Sequence, residues 1–305
     1  MRILSDLNDT NSISGRTALA IGKFDGLHKG HARLFDRLRE KSREGYSTLV
    51  FTFDRPISDF FSGEDQPLLT TNNEKEEYLR DIGMDYEFVL PVNAESVAIE
   101  PEAFVDILSN RLHAGFIAAG NDISFGAGGR GDIELLRSLS SRYGYEVSEV
   151  EKVKLGEEVI SSTMIRRFVQ EGKMELAQAA LGRPYSIDGM VRQGRKLGRR
   201  LEMPTVNLET EKNKLLPPFG VYFSYIYLGT GVFRGITNIG VRPTVTDDGR
   251  ITVETYIYDF DDDVYGEWLR VELLHFLRGE MRFDSLDSLK AQMRTDMLRG
   301  RIYFS

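Results

Sequence analysis

At Tyr185 the hydrophobic period of the chain changes, and that change constrains the fold more than any other feature. Before it, short apolar runs alternate with stretches of helical spacing. After it, apolar and polar residues alternate one by one, with turn residues between the runs. Buried strands interleaved with helices build a layered α/β sheet, whereas a sustained period of two builds antiparallel strands. A chain carrying both patterns holds two domains, which 305 residues accommodate. The expected domains are residues 1–182 and 183–305.

In the first half, TALAIG (17–22) is a buried strand, and GKFDGLHKGH leads into the helix HARLFDRLREKSREG, with Gly45 suited to its C-cap. STLVFTF follows as a strand rich in β formers. Strand, glycine loop, helix and strand make a βαβ unit, which implies a parallel sheet with a right-handed crossover. The alternation continues through NEKEEYLRDIGM, YEFVLPV, PEAFVDILSNRL, FIAAG and GDIELLRSLSSRYG, and YEVSEVEKVKLGEEVI reads as a final pair of strands. This is a doubly wound α/β domain. SSTMIRRFVQEGKMELAQAALG is helical, with N-cap oxygens on Ser161, Ser162 and Thr163, a break at Gly172 and an end at Gly182.

In the second half the candidate strands are YSIDGMVRQGRK, GVYFSYIYLG, VFRGITNIG, ITVETYIYDF and WLRVELLHFL. Antiparallel strands in one run predict a β-barrel. SLDSLKAQMRTDMLRGRI closes the chain as a helix capped by Ser285.

Composition removes several functions. The formal charge of −8 argues against a nucleic-acid partner, although local basic pockets for small polyphosphates remain open. With no cysteine, thiolate zinc sites and cysteine nucleophiles are impossible, and four histidines are few for histidine-rich metal centres. The N-terminus has no signal-peptide pattern, and no apolar run approaches the roughly 20 residues of a membrane helix, so a cytoplasmic enzyme is expected. Oligomeric state is not legible.

The strongest local signal is GKFDGLHKGH. Glycines at a strand-to-helix turn let backbone N–H groups approach a phosphate. His28 and His31, three apart at a helix start, share a face where the dipole favours an anion between them. The plainer alternative is a glycine-rich turn with two solvated histidines. Two histidines, several glycines and the βαβ setting together favour the anion site.

This segment resembles the signature of nucleotidylyltransferases, which transfer AMP from ATP and release pyrophosphate. More narrowly, it is similar to the N-terminal module of prokaryotic bifunctional riboflavin kinase/FAD synthetases. The resemblance implies that His28 and His31 contact ATP phosphates, in a loop where Gly22, Phe24, Asp25, Gly26 and Gly30 help bind the nucleotide. AGNDISFGAGGRGD (119–132) resembles the family's flavin loop, which implies Asn121 and Asp122 as flavin contacts. VISSTMIR (159–166) resembles its Ser-Ser-Thr-x-Ile-Arg segment, and Ser162, Thr163 and Arg166 would then clamp the triphosphate; simple helix capping is the alternative for the hydroxyls.

The second half resembles the riboflavin kinase module. GRPYSIDGMVRQGRKLGRRLEMPTVNL (182–208) carries a Gly-x-x-x-Gly-Arg loop with Gly194 and Gly198, and a Pro-Thr-x-Asn motif. By the resemblance Thr205 and Asn207 hold Mg²⁺ with ATP phosphate, and Glu254 is the general base for the ribityl 5′-hydroxyl. Taken alone, Pro-Thr-x-Asn reads as an ordinary turn and Glu254 as a solvent-facing strand residue. The resemblance spans nearly the whole chain in order. It implies a nucleotidylyltransferase-like domain and a riboflavin kinase barrel, with ATP, Mg²⁺, riboflavin, FMN and FAD as ligands.

There are departures. TFDRPI (52–57) stands where the family has Thr-Phe-x-Pro-His-Pro, Met164 replaces a frequent arginine, and Ile123 and Ser124 differ from the usual aromatic and basic residues. Val206, Glu202 and Met203 differ in the kinase half. Because more departures fall in the first half, a weak or lost adenylylation step is the corresponding expectation. The alternatives are therefore a kinase with a degenerate first domain, or a flavin or nucleotide sensor without turnover.

Overall fold

The wholly apolar runs of the first half become the strands of a parallel sheet, because only a strand covered on both faces buries every side chain. The structure is a computed structural model and describes residues 1–192, 205–241 and 251–305. It divides into two units, Met1–Ser162 and Thr163–Ser305.

In the first unit the strands are β1 (Arg2–Leu4), β2 (Thr17–Ile21), β3 (Ser47–Phe53), β4 (Tyr86–Leu90), β5 (Ala114–Gly120) and β6 (Glu146–Val150). Their order is β1-β4-β3-β2-β5-β6, with every pair parallel. The helices are α1 (Lys29–Ser42), α2 (Ile57–Ser62), α3 (Asn72–Asp81), α4 (Ala94–Val97), α5 (Pro101–Asp106), which runs on as a π-helical turn over Ile107–Arg111, and α6 (Ile133–Tyr143). Two apolar layers flank the sheet. Leu19, Phe51, Phe88 and Ile117 face one, with Phe104, Leu108 and Leu136 packed on them. Ala20, Val50 and Phe116 face the other, beneath Phe35, Leu38 and Leu79. The doubly wound expectation holds.

Two local expectations are corrected, and one strand is added. The segment after α6 gives β6 in the sheet and a separate small hairpin, β7 (Lys154–Leu155) with β8 (Glu158–Val159), so it holds three strands instead of a pair. The first helix stops at Ser42 with Arg43 as C-cap, and Gly45 at φ +93° closes the turn beyond it. β1, only three residues long and so too short to announce itself, adds an edge beside β4.

α7 (Ser162–Gln170) starts at the division between the units, and α8 (Met174–Leu181) follows the break at Gly172. The second unit closes as a barrel in the order β10-β13-β12-β11-β14-β9, from β9 (Tyr185–Arg192), β10 (Thr205–Glu209), β11 (Gly220–Leu228), β12 (Gly231–Val241), β13 (Ile251–Ile257) and β14 (Trp268–Gly279). Alternation decides the interior. Val253, Thr255 and Ile257 point into it, and the buried hydroxyls of Ser224, Thr237 and Thr255 satisfy one another at 2.8 and 2.9 Å. The strand missed in the sequence is β10: Thr205, Val206 and Asn207, which read within Pro-Thr-x-Asn as a turn, are extended and pair with β13, and from Asn207 onward the strand also pairs with β9.

The terminal helix α9 (Leu286–Tyr303) has Ser285 as N-cap, in a capping box with Ser288. It packs outside the barrel through Met297 and Phe304 against Phe223, Ile236 and Tyr258. The guanidinium of Arg278 on β14 donates to buried Asp296 at 2.6 and 3.0 Å. Among the described residues no helix is long and apolar enough to cross a membrane.

Candidate functional site

The first site grows from the loop between β2 and α1. β2 lies between β3 and β5, so the chain runs away from it in both directions; ligands of open parallel sheets bind at the carboxyl ends of strands at such a switch point. The loop is tightly shaped. Phe24 and Leu27, with φ of +51° and +46°, are left-handed non-glycine residues, and both are fully buried. Backbone strain of this kind persists only where the surroundings over-determine it. Gly26 takes φ +87°, and a Cβ on Gly22 would come within 2.9 Å of the Phe24 ring.

His28 is the N-cap of α1, and its Nδ1 accepts from the His31 N–H at 3.4 Å. The two imidazoles stack at 3.7 Å with 15° between planes. The Phe24 ring meets His31 edge-on at 5.1 Å. Gly30 packs close beside them, since a Cβ there would stand 3.0 Å from the His28 ring. Both histidines therefore sit at a helix N-terminus, where the first-turn N–H groups and the dipole suit an anion.

Ser162 joins this loop: its hydroxyl donates to the Asp25 carbonyl at 2.8 Å, so it ties two segments together instead of capping α7. The Asp25 carboxylate accepts from the Thr70 N–H at 3.1 Å. Asn121 and Asp122 follow β5, the strand paired to β2, and are exposed; Lys152 pairs with Asp122 at 2.9 Å. Thr163 and Arg166 lie on the first turns of α7, in the second unit. The altered 52–57 segment is firmly tied, with Asp54 accepting from Val92 N–H at 2.9 Å and Arg55 donating to Val92 O at 3.1 Å.

The second site lies on the barrel wall. Glu254 on β13 stands directly across from Asn207 on β10 and, on its other side, from Asn238 on β12. Glu254 alternates with inward-facing Val253 and Thr255, so this polar row is on the outer face. Thr205, two residues before Asn207, shares its face. The Asn207 Oδ1 is buried and accepts no hydrogen bond among the described residues. An orphaned carbonyl oxygen beside a hydroxyl is a hard donor set that fits Mg²⁺. Asn238 went unrecognised in the sequence, because only barrel register brings it beside Glu254. Gly194 and Gly198 lie outside the described residues, as do Glu202 and Met203.

A parallel-sheet unit with stacked histidines below a switch point, joined in one chain to a barrel with a carboxylate between two asparagines, defines a two-module transferase. Residues 10–164 match the FAD synthetase family model and residues 181–304 the riboflavin kinase model. The bifunctional riboflavin kinase/FMN adenylyltransferase of Haemophilus influenzae is 32% identical over all of both chains. That of Escherichia coli K12 is 36% identical over 94% of this chain and 92% of its own. A crystal structure described as a macrolide-efflux protein from Streptococcus pneumoniae shares the whole fold, with a TM-score of 0.85 at 28% identity over 98% of each chain. The chain belongs to the bifunctional riboflavin kinase/FMN adenylyltransferase family.

Proposed function

We infer that this chain phosphorylates riboflavin to FMN in its barrel and adenylylates FMN to FAD, with release of pyrophosphate, in its first unit. What carries the reading is the match of both halves, in order, to relatives named for both activities across the full chain.

In the kinase, Glu254 takes the proton of the ribityl 5′-hydroxyl as that oxygen attacks the γ-phosphate. The proton leaves to the carboxylate, the new P–O bond forms on the ribityl oxygen, and ADP departs. Thr205 and Asn207 would hold Mg²⁺, which neutralises charge on the ATP phosphates when bound. Asn207 and Asn238, one on each side of Glu254, keep its carboxylate among polar neighbours. Gly194 and Gly198 complete the nucleotide loop in this reading.

In the adenylyltransferase, His28 and His31 hold the ATP phosphates, while the loop from Gly22 to Gly30 presents backbone N–H groups. Ser162, Thr163 and Arg166 supply further donors to the triphosphate, and Asn121 and Asp122 contact the flavin. Phosphoryl and nucleotidyl transfer depend chiefly on such positioning and charge neutralisation. The partners are small molecules, the setting is cytoplasmic, and nucleic acid has no part.

The test is to incubate the purified chain with riboflavin, ATP and Mg²⁺ and to separate the products by chromatography. FMN followed by FAD is the expected result. FMN alone would leave a kinase with a degenerate first module, and neither product would overturn the reading.

A further inference from the structure

Two charges lie inside the first unit, away from the loop that carries the histidines. Glu87, on β4, is fully buried, and Lys75, on α3, is 5% exposed. The Glu87 side chain belongs to the layer beneath α3, with Val50 as its neighbour on β3. The Lys75 ammonium stands 3.9 Å from Glu87 Oε1. Neither carboxylate oxygen of Glu87 accepts a hydrogen bond among the described residues.

A buried ion pair of this kind is a poor way to stabilise a fold. Replacing such a pair with apolar side chains of similar volume is often neutral or stabilising, whereas removing one partner is strongly destabilising. The contacts of Lys75 point to another use. Its ammonium donates to Asn72 Oδ1 at 3.3 Å and to Thr52 Oγ1 at 3.4 Å. The fully buried Thr52 hydroxyl donates in turn to the Lys23 carbonyl at 3.3 Å. Lys23 lies in the strained loop between Gly22 and His28. One line of polar contacts thus runs from Glu87 to the backbone of the loop that shapes the first site.

We propose that Lys75, kept charged in a dry site by Glu87, is a positioning residue for adenylyl transfer and fixes the His28–His31 loop through Thr52. This rests on the reading of the first unit as the FMN adenylyltransferase. The other charges facing Lys75 are Asp25, Glu76 and Asp54, and those facing Glu87 are Glu76 and Arg80. These act on the pair through their charge. Desolvation lifts the Glu87 carboxyl to about 7, so its charge is lost on the acid side of neutrality. FAD formation then weakens as Lys75 loses its counter-charge.

The experiment uses the full chain and the double variant Lys75→Met with Glu87→Leu, which removes both charges at once and leaves no lone buried ion. FAD formation from FMN and FMN formation from riboflavin are measured across neutrality, with thermal unfolding as a check on folding. The expected result is a variant that unfolds near the wild-type temperature and makes FMN normally. Its FAD formation falls about tenfold to a hundredfold, the cost of a misplaced reacting group. The neutral inflection of the wild-type FAD profile also disappears. If the folded variant makes FAD at the wild-type rate with the wild-type pH profile, the pair is structural and the inference is overturned. If the wild type itself makes no FAD while making FMN, the adenylyltransferase reading fails and the inference falls with it.

Discussion

Asn207 lies directly across the barrel ladder from Glu254, so that a buried carbonyl oxygen with no hydrogen-bond partner among the described residues and a carboxylate stand on neighbouring strands. The two residues are far apart in the chain, and antiparallel register alone brings them together. In the proposed kinase reaction Glu254 is the general base and Asn207 would help to hold Mg²⁺, the pairing that transfer to a hydroxyl requires. Glu254→Gln keeps the shape and removes the base. FMN formation should fall at least about a hundredfold, within the usual range for a lost general base. FAD formation from supplied FMN should persist. Equal loss of both activities in a folded variant would contradict the assignment.

Asn207→Ala separates binding from stability. Since Oδ1 has no hydrogen-bond partner among the described residues, its loss should leave the unfolding temperature of the barrel unchanged or slightly raised. Kinase activity should nonetheless drop, with the Mg²⁺ dependence of FMN formation displaced to higher concentration. Calorimetry and a Mg²⁺ titration of the rate report the two halves of this expectation.

The stacked histidines give the mirror image. His28→Ala with His31→Ala removes the imidazoles at the start of α1. FAD formation should be lost while riboflavin is still phosphorylated. A variant that still turns FMN into FAD at the wild-type rate would remove both residues from the chemistry.

α9 is held to the barrel by Arg278 and Asp296, the latter 3% exposed. Asp296→Ala leaves the largely buried guanidinium without its carboxylate and should cost about 3 kcal/mol in the barrel unit. The observable is a lower unfolding transition for that unit, with FAD formation from FMN unaffected below it.

Stability should also vary with pH through Glu87. Burial raises its carboxyl from the ordinary 4.5 to about 7, while Lys75 pulls it down and Glu76 adds to the rise. A folded-state value above the unfolded one means that the protonated form is favoured by folding. The contribution is complete below about 4.5 and is lost as pH rises through about 7, amounting to about 3 kcal/mol at most. Burial displaces Lys75 downward from 10.5, so its own effect runs oppositely, with stability regained toward alkaline pH. The melting temperature of the first unit should therefore decline from mildly acid to mildly alkaline pH. That slope should flatten in the Lys75→Met, Glu87→Leu double variant.

Much of the architecture was legible because it is written locally. Apolar runs such as TALAIG and STLVFTF cannot cover themselves, so they announced a two-sided sheet, and the alternation in ITVETYI announced a wall with one face inward. Ser285 marked its helix because capping is a contact within one turn. β10 was missed because five residues after a proline carry too little pattern to show a strand; its pairing with β9 and β13 makes it one. Gly45 misled because a glycine of positive φ serves a turn as well as it ends a helix.

The sequence by itself determined that this chain has two modules of different architecture, that a glycine-rich loop with two histidines opens the first helix, and that Glu254 lies on an alternating strand. Tertiary structure decided what meets. Ser162 reaches the Asp25 carbonyl across 137 positions, Asn238 and Asn207 flank Glu254, and Glu87 finds Lys75 inside an apolar layer. Helical and strand periods are set by neighbours in the chain, and so can be read there. Register, loop strain and buried charge pairs are set by which surfaces pack together, and that is fixed only when the whole unit folds.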